Sequence, residues 1–195
     1  HEWASRYEDG HWTYSLAEVE TGLRRAYAAV ADDAQVRYGV RPTTLGALGI
    51  SAMMHGYLAF DGDGRLLTPF RTWRDTTTGP AAAELSGLLG VNIPLRWSIA
   101  HLHQAVLDDE EHVSRIRHIT TLAGYVHERL TGQAVLGVGD ASGMFPIDPV
   151  TGGYDGRMLA TYDALAAGRL PSSLVDLLPT VLAAGAPAGT LTAEG

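Results

Sequence analysis

Thr44 to Met53, TLGALGISAM, is a run of small and apolar residues without polar alternation. A strand with one face in water alternates, so an unbroken run is expected where a strand is covered on both faces, in a sheet flanked by helices. The preceding segment agrees. SLAE, Ser15 to Glu18, fits a capping box in which serine and glutamate side chains each satisfy a free amide of the first helical turn. Leu16, Val19, Leu23, Ala26, Tyr27 and Val30 recur at helical spacing, and Gly39 after Tyr38 supplies the stop. The pattern predicts a helix feeding a central, buried strand.

Beyond His55 and Gly56, YLAF and RLLTPF flank DGDG, Asp61 to Gly64, whose residues accept the positive φ of hairpin turns. A β-hairpin is expected, ending in Trp73-Arg74-Asp75. Gly79-Pro80 opens a helix that Gly90 closes, and further helices are expected over Ser98 to Leu107, Thr121 to Leu130 with Gly132 as cap, and Tyr154 to Ala167. GVGDASGMFPID between the last two reads as two glycine-rich bends and a short strand. With no internal repeat and no low-complexity linker, the whole is one α/β domain.

At 195 residues the chain is long enough to bury roughly 70% of its unfolded surface. Its lack of cysteine excludes disulfides, thiolate catalysis and cysteine-ligated zinc, and permits a reducing, cytoplasmic home. All 14 basic residues are arginine, which rules out a lysine-bearing phosphate loop and Schiff-base chemistry. A net charge of -8 opposes broad contact with nucleic acid, and no apolar run reaches the ~20 residues that span a bilayer. The chain opens on His1 and stops at GTLTAEG, as a piece of something longer would.

Eight histidines raise the question of a metal. His101 and His103 stand two apart on an expected helix and so point to different sides, while His112 and His118 stand six apart; neither spacing matches H-E-x-x-H. The acidic run Asp108 to Glu111 reads as a solvated helix junction. Gly137, Gly139 and Gly143 are spaced by two and four, not the two and three of a dinucleotide loop, and no serine sits in G-x-S-x-G. Asp140 with Ser142 fits either an anion or sugar-hydroxyl site or a tight turn closed by the aspartate. Two polar clusters remain, Met54-His55 at the end of the expected strand and Trp73-Arg74-Asp75 at the far end of the hairpin. An imidazole, a carboxylate and an indole suit a sugar, with hydrogen bonds to hydroxyls and an apolar plate beneath. A satisfied histidine and a core tryptophan fit the same residues, and pattern alone leaves both readings open.

Taken together, GISAMMHGYLAFDGDGRLLTPFRTWRD resembles the amino-terminal domain of the FGGY family of carbohydrate kinases, in its xylulokinase-like branch. The matching features run in order: Gly49-Ile50, Met54-His55-Gly56, the strand Leu58 to Asp61, the turn at 61–64, Pro69, and Trp73-Arg74-Asp75. Arg129 to Gly132, the Asp-Ala-Ser-Gly at Asp140 to Gly143, YDGRMLATYDAL and the closing LLPTVLAAGAPAGTLTAEG continue the resemblance from about Trp12 onward.

The resemblance implies a ribonuclease H-like, actin-like ATPase domain, a mixed sheet flanked by helices and lacking its first hairpin. Residues 1–195 would form most of the sugar-binding domain of a bilobal kinase that uses ATP and Mg2+, bound mainly outside this chain. It implies Met54, His55, Trp73 and Asp75 as sugar-site residues, Met54 and Trp73 as apolar walls and His55 and Asp75 as hydroxyl partners. Asp140 joins the substrate-binding set without a base role, since the catalytic aspartate is expected after Gly195. Met53, on the opposite side of the strand, belongs to the core. Arg74 stands where many relatives carry asparagine or glutamine, which opens the substrate to another keto sugar or a polyol. The implied partner is a small sugar, with no nucleic acid and no membrane, and a homodimer is compatible. Rival readings are a sugar-binding or regulatory module without kinase activity, and a metal-dependent hydrolase using His55, Asp75 and Asp140.

Overall fold

The computed structural model describes residues 2–193. The chain opens with a hairpin of β1, Arg6–Glu8, and β2, His11–Thr13, paired antiparallel. Its turn is Asp9-Gly10, both at positive φ (49° and 84°), the pattern an Asp-Gly turn provides. Helix α1 follows, Leu16–Tyr38. The Ser15 side chain accepts from the Glu18 N–H, and Gly39 closes the helix in the left-handed region with its N–H on the Gln35 carbonyl. Glu18 itself pairs with Arg6 at 2.8 Å, which ties the hairpin to the helix start.

The run from Thr44 to Met53 is not a buried strand. Residues 40–56 lie outside helix and strand, and most of 44–52 is exposed. Strand pairing needs a neighbour whose N–H and C=O groups face its own, and among the described residues none lies beside this stretch. Met53 does go to the core side, packing against the cluster of Val19, Leu58, Phe70 and Leu122. The Met53 carbonyl accepts from the Ala123 N–H at 3.2 Å.

The expected hairpin is present in short form. Strand β3, Leu58–Phe60, is bridged to the returning arm at Tyr57↔Arg71 and Phe60↔Leu66. Its turn is held by Asp61, whose Oδ1 accepts from the N–H groups of Asp63 and Arg65, both at 2.9 Å. The other edge of β3 pairs antiparallel with β4, His118–Thr120. Helix α2, Gly79–Leu89, ends on Gly90, and α3 spans Ser98–Leu107. A 3-10 turn at Glu111–Arg115 leads into β4, and α4 covers Leu122–Thr131, capped by the Thr121 side chain and closed by Gly132. In GVGDASG, β5 (Val135–Gly137) runs into a single turn of helix, α5, Val138–Ala141, in place of the first bend. Helix α6, Gly156–Leu165, starts two residues later than expected because Asp155 is its cap, accepting from the Met158 N–H at 2.9 Å. A short α7, Leu174–Leu177, precedes β6, Thr180–Leu182, which pairs parallel with β5.

The sheet is thus three two-stranded pieces with helices around them. The main core gathers Tyr57 just ahead of β3, Leu85 of α2, Ile99 and Leu102 of α3, Phe145 after α5 and Tyr162 of α6, and it buries the start of α3 completely. That burial fixes the loop ahead of α3, against which the functional edge is built.

Candidate functional site

Three chain segments meet at the end of the 44–56 stretch. The Gly56 N–H donates to the Arg96 carbonyl at 3.1 Å, and Ser98 Oγ donates to the Gly56 carbonyl at 2.6 Å. The Ser98 and Ile99 N–H groups, first in α3, donate to the Gly143 and Met144 carbonyls at 3.4 and 3.1 Å. Two glycines make the approach possible. Gly56 has φ +112°, and a Cβ there would lie 2.6 Å from the Arg71 carbonyl oxygen; at Gly143 it would lie 2.4 Å from the Met54 carbonyl oxygen and 2.7 Å from His55 Nδ1.

Met54, His55 and Asp140 come together here, with Arg96 beside them. Burial lowers the His55 pKa first and the nearby Arg96 lowers it further, against the Gly143 backbone contact and the Asp140 charge, which raise it. Both effects favour the neutral ring, and since Nδ1 is buried beside Gly143, Nε2 is the nitrogen left to meet a sugar hydroxyl. Asp140 moves the other way, its carboxyl raised by burial and only partly offset by His55. Met54 and His55 are half-buried, so the edge is reached from solvent.

Trp73 and Asp75 lie on the loop that β2 straps down. The Thr72 N–H donates to the Trp12 carbonyl at 2.9 Å, and the Arg74 guanidinium sits 4.3 Å over the Trp12 ring. Trp73 is half exposed, a free apolar plate, whereas Asp75 is 1% exposed and turns inward. Its carboxylate meets His11 Nδ1 at 2.5 Å and the Thr77 N–H at 2.9 Å. Burial raises its pKa, but the hydrogen bonds from Thr77 and His11 outweigh that and hold it below the usual carboxylate value.

Behind Asp75 is a network that the residue pattern did not disclose. Arg71, 2% exposed, pairs with Glu110, which also lies 3.3 Å from His112 Nδ1. The Tyr57 hydroxyl meets His112 Nε2 at 2.9 Å, and Tyr57 stacks on the buried ring of His101 with centroids 6.3 Å apart. Burial raises the Glu110 pKa, yet hydrogen bonds from His112 and Arg71 bring it down to about 2. Burial chiefly, with the Arg71 and His11 charges adding to it against Asp75 and Glu110, drives His101 well below an ordinary histidine. The run Asp108 to Glu111 is therefore not simply a solvated junction: Glu110 is the counter-charge of a buried arginine. The one available signal was Arg71 itself, a cation at a position that hairpin pairing directs inward.

Among the described residues no group of three or more His, Asp or Glu could hold a metal ion, and no helix is long and apolar enough to cross a membrane.

An α/β body of this kind, with a polar edge where loops converge beyond short strands, has the actin-like ATPase fold of sugar kinases. Residues 9–195 match the model of the FGGY family of carbohydrate kinases, N-terminal domain, and the chain belongs to that family. Among solved structures it is similar to a xyloylose kinase from Brucella ovis, at 22% identity and TM-score 0.78, over 97% of this chain and 38% of that one. It is also similar to a xylulose kinase from Rhodospirillum rubrum, at 20% and 0.73 over 99% and 38%, and to a gluconate kinase from Lactobacillus acidophilus, at 16% and 0.66 over 98% and 38%. At these identities the likeness is one of fold, and the chain spans 38% of the length of these solved kinases.

Proposed function

We propose that this chain is most of the sugar-binding half of an ATP-dependent kinase that phosphorylates a hydroxyl of a keto sugar, such as a pentulose, or of a polyol. The observation that carries the reading is the meeting of Met54, His55 and Asp140 at an edge reached from solvent, built by Gly56 and Gly143, within a carbohydrate-kinase family. His55 holds a substrate hydroxyl, Met54 and the exposed face of Trp73 wall the sugar, and Asp140 accepts from a second hydroxyl. Asp75 takes a different part from that implied by the family resemblance. Turned onto His11 and Thr77, it sets the loop that presents Trp73.

ATP with Mg2+ supplies the phosphoryl group when bound. Neither that ion nor the proton-accepting base is assigned to residues of this chain. What its own residues contribute is orientation: fixing one hydroxyl of the sugar, with water excluded by Met54 and Trp73, removes the entropy of aligning it for attack.

The test is coupled ADP release by the full-length kinase across a panel of keto sugars and polyols. ADP release that depends on one of these compounds is expected, and His55→Ala lowers sugar kcat/KM at least about tenfold with the fold intact. Unchanged kinetics in that variant would remove His55 from the site.

A further inference from the structure

We infer that His11, on the opening hairpin, is a positioning residue for the sugar edge: together with its neighbour Trp12 it grips the loop on both sides of Trp73, and so sets the face that Trp73 turns to substrate. The inference rests on reading Trp73 as a wall of the sugar site. Trp73 and Arg74 are the exposed central pair of a turn whose flanking residues, Thr72 and Asp75, are buried, and the Asp75 N–H closes it on the Thr72 carbonyl at 3.0 Å. Both flanks are held from the hairpin. The Thr72 N–H donates to the Trp12 carbonyl at 2.9 Å, and Asp75 Oδ2 lies 2.5 Å from His11 Nδ1. Two adjacent residues of β2 thus hold the two residues that bracket Trp73-Arg74, while the Arg74 guanidinium lies over the Trp12 ring. The body of the domain grips the loop further out, through Arg71 on Glu110 and through Thr78 Oγ1, which donates to the Leu95 carbonyl at 2.6 Å.

The chemistry of the contact fixes which group donates. Asp75 is held as a carboxylate, an acceptor only, so His11 Nδ1 carries the proton. At 1% exposure, a carboxylate deprived of that donor would be short of a partner and away from water, and the turn would shift to find one. The hairpin is a firm support for this: Thr13, the last residue of β2, is buried, so the strand that carries His11 is seated on the domain.

The test uses the full-length kinase with whichever compound it turns over best among pentuloses and pentitols. His11→Phe keeps a ring and removes the donor, whereas His11→Asn returns an N–H at the same reach from Cβ as Nδ1. The expected result is that His11→Phe raises sugar KM at least about tenfold, with kcat and the KM for ATP within about twofold, and that His11→Asn recovers most of the loss. Combined with Asp75→Asn, His11→Phe should be no worse than the worse single variant, because the two residues act through one contact. A second readout needs no substrate: iodide quenching of Trp73 fluorescence, taken as the difference from Trp73→Phe, should change at least about twofold in His11→Phe and return in His11→Asn. Should His11→Phe not fold, His11→Gln, whose amide lies one carbon too far out, gives the same comparison. An unmoved sugar KM, a loss that His11→Asn does not recover, or losses that multiply in the double variant overturn the inference. If Trp73→Ala leaves sugar KM unchanged while the quenching still follows His11, the reading of Trp73 as a sugar wall falls and the hairpin's hold on it stands.

Discussion

His55 and His101 are both neutral histidines, and the difference between their surroundings separates a working edge from a structural one. His101 is fully buried, stacked on Tyr57 within the group that contains Arg71, Glu110 and His112. His55 is half-buried, and the backbone around it is closed while its side-chain neighbours Asp140 and Arg96 are not paired with one another. Charges in the first group are committed to each other and hold α3 and the hairpin together; those in the second are left for a ligand. Clusters of polar residues look alike in a sequence, and burial with mutual partners is what tells them apart.

The hardest way to break the comparison is to open the sealed group. Glu110→Ala strands the buried Arg71 charge and is expected to cost about 3–5 kcal/mol in urea unfolding, while Arg71→Met with Glu110→Leu recovers much of the loss. A full loss retained in the double variant would mean that packing, not charge, is at stake. At the open edge, Gly143→Ala should act on function and fold together: its Cβ would press on the Met54 carbonyl and His55 Nδ1, so sugar KM rises about tenfold or more and the melting temperature falls as the backbone gives way. An unaltered KM would show that His55 has room to move without consequence.

Acid offers a graded version of the same contrast. The unfolded chain protonates His101 below about 6.5, a proton the buried ring refuses, so stability falls as pH drops through that value. Glu110, depressed from 4.5 to about 2, contributes stability that is present above 4.5 and lost between these two values. Urea midpoints against pH should show both windows, and Glu110→Gln should shrink the lower one, to which Asp75 also contributes, while leaving the upper one in place. The smallest effect on folding is expected at Trp73, half exposed: Trp73→Ala shifts stability within about 0.5 kcal/mol yet weakens sugar binding. A large loss of stability would reassign it to the core.

Much of the secondary structure was legible because its signals are local. Ser15, Thr121 and Asp155 cap helices through amides three residues away, and Gly39, Gly90 and Gly132 end them by taking positive φ. Asp9-Gly10 carries an equally local signal for the opening hairpin. The run at 44–53 misled because apolar composition reports what a segment is suited to cover, not whether a neighbouring strand is beside it. At the site, the motif residues Met54, His55 and Asp140 meet, whereas Asp75 turns inward, onto a histidine 64 positions away.

By itself, then, the sequence determined the long helices and most of their ends, the β3 hairpin with its Asp61 turn, and the ordered motifs of a carbohydrate-kinase family, since each depends on residue types acting over a few positions. Only the tertiary structure decided that Arg71 and Glu110, 39 positions apart, share a buried charge pair, and that Gly143, lacking a Cβ, lets Met54 and His55 come close. Such pairings follow from which loops the packed core brings side by side, and no local preference of the chain encodes that proximity.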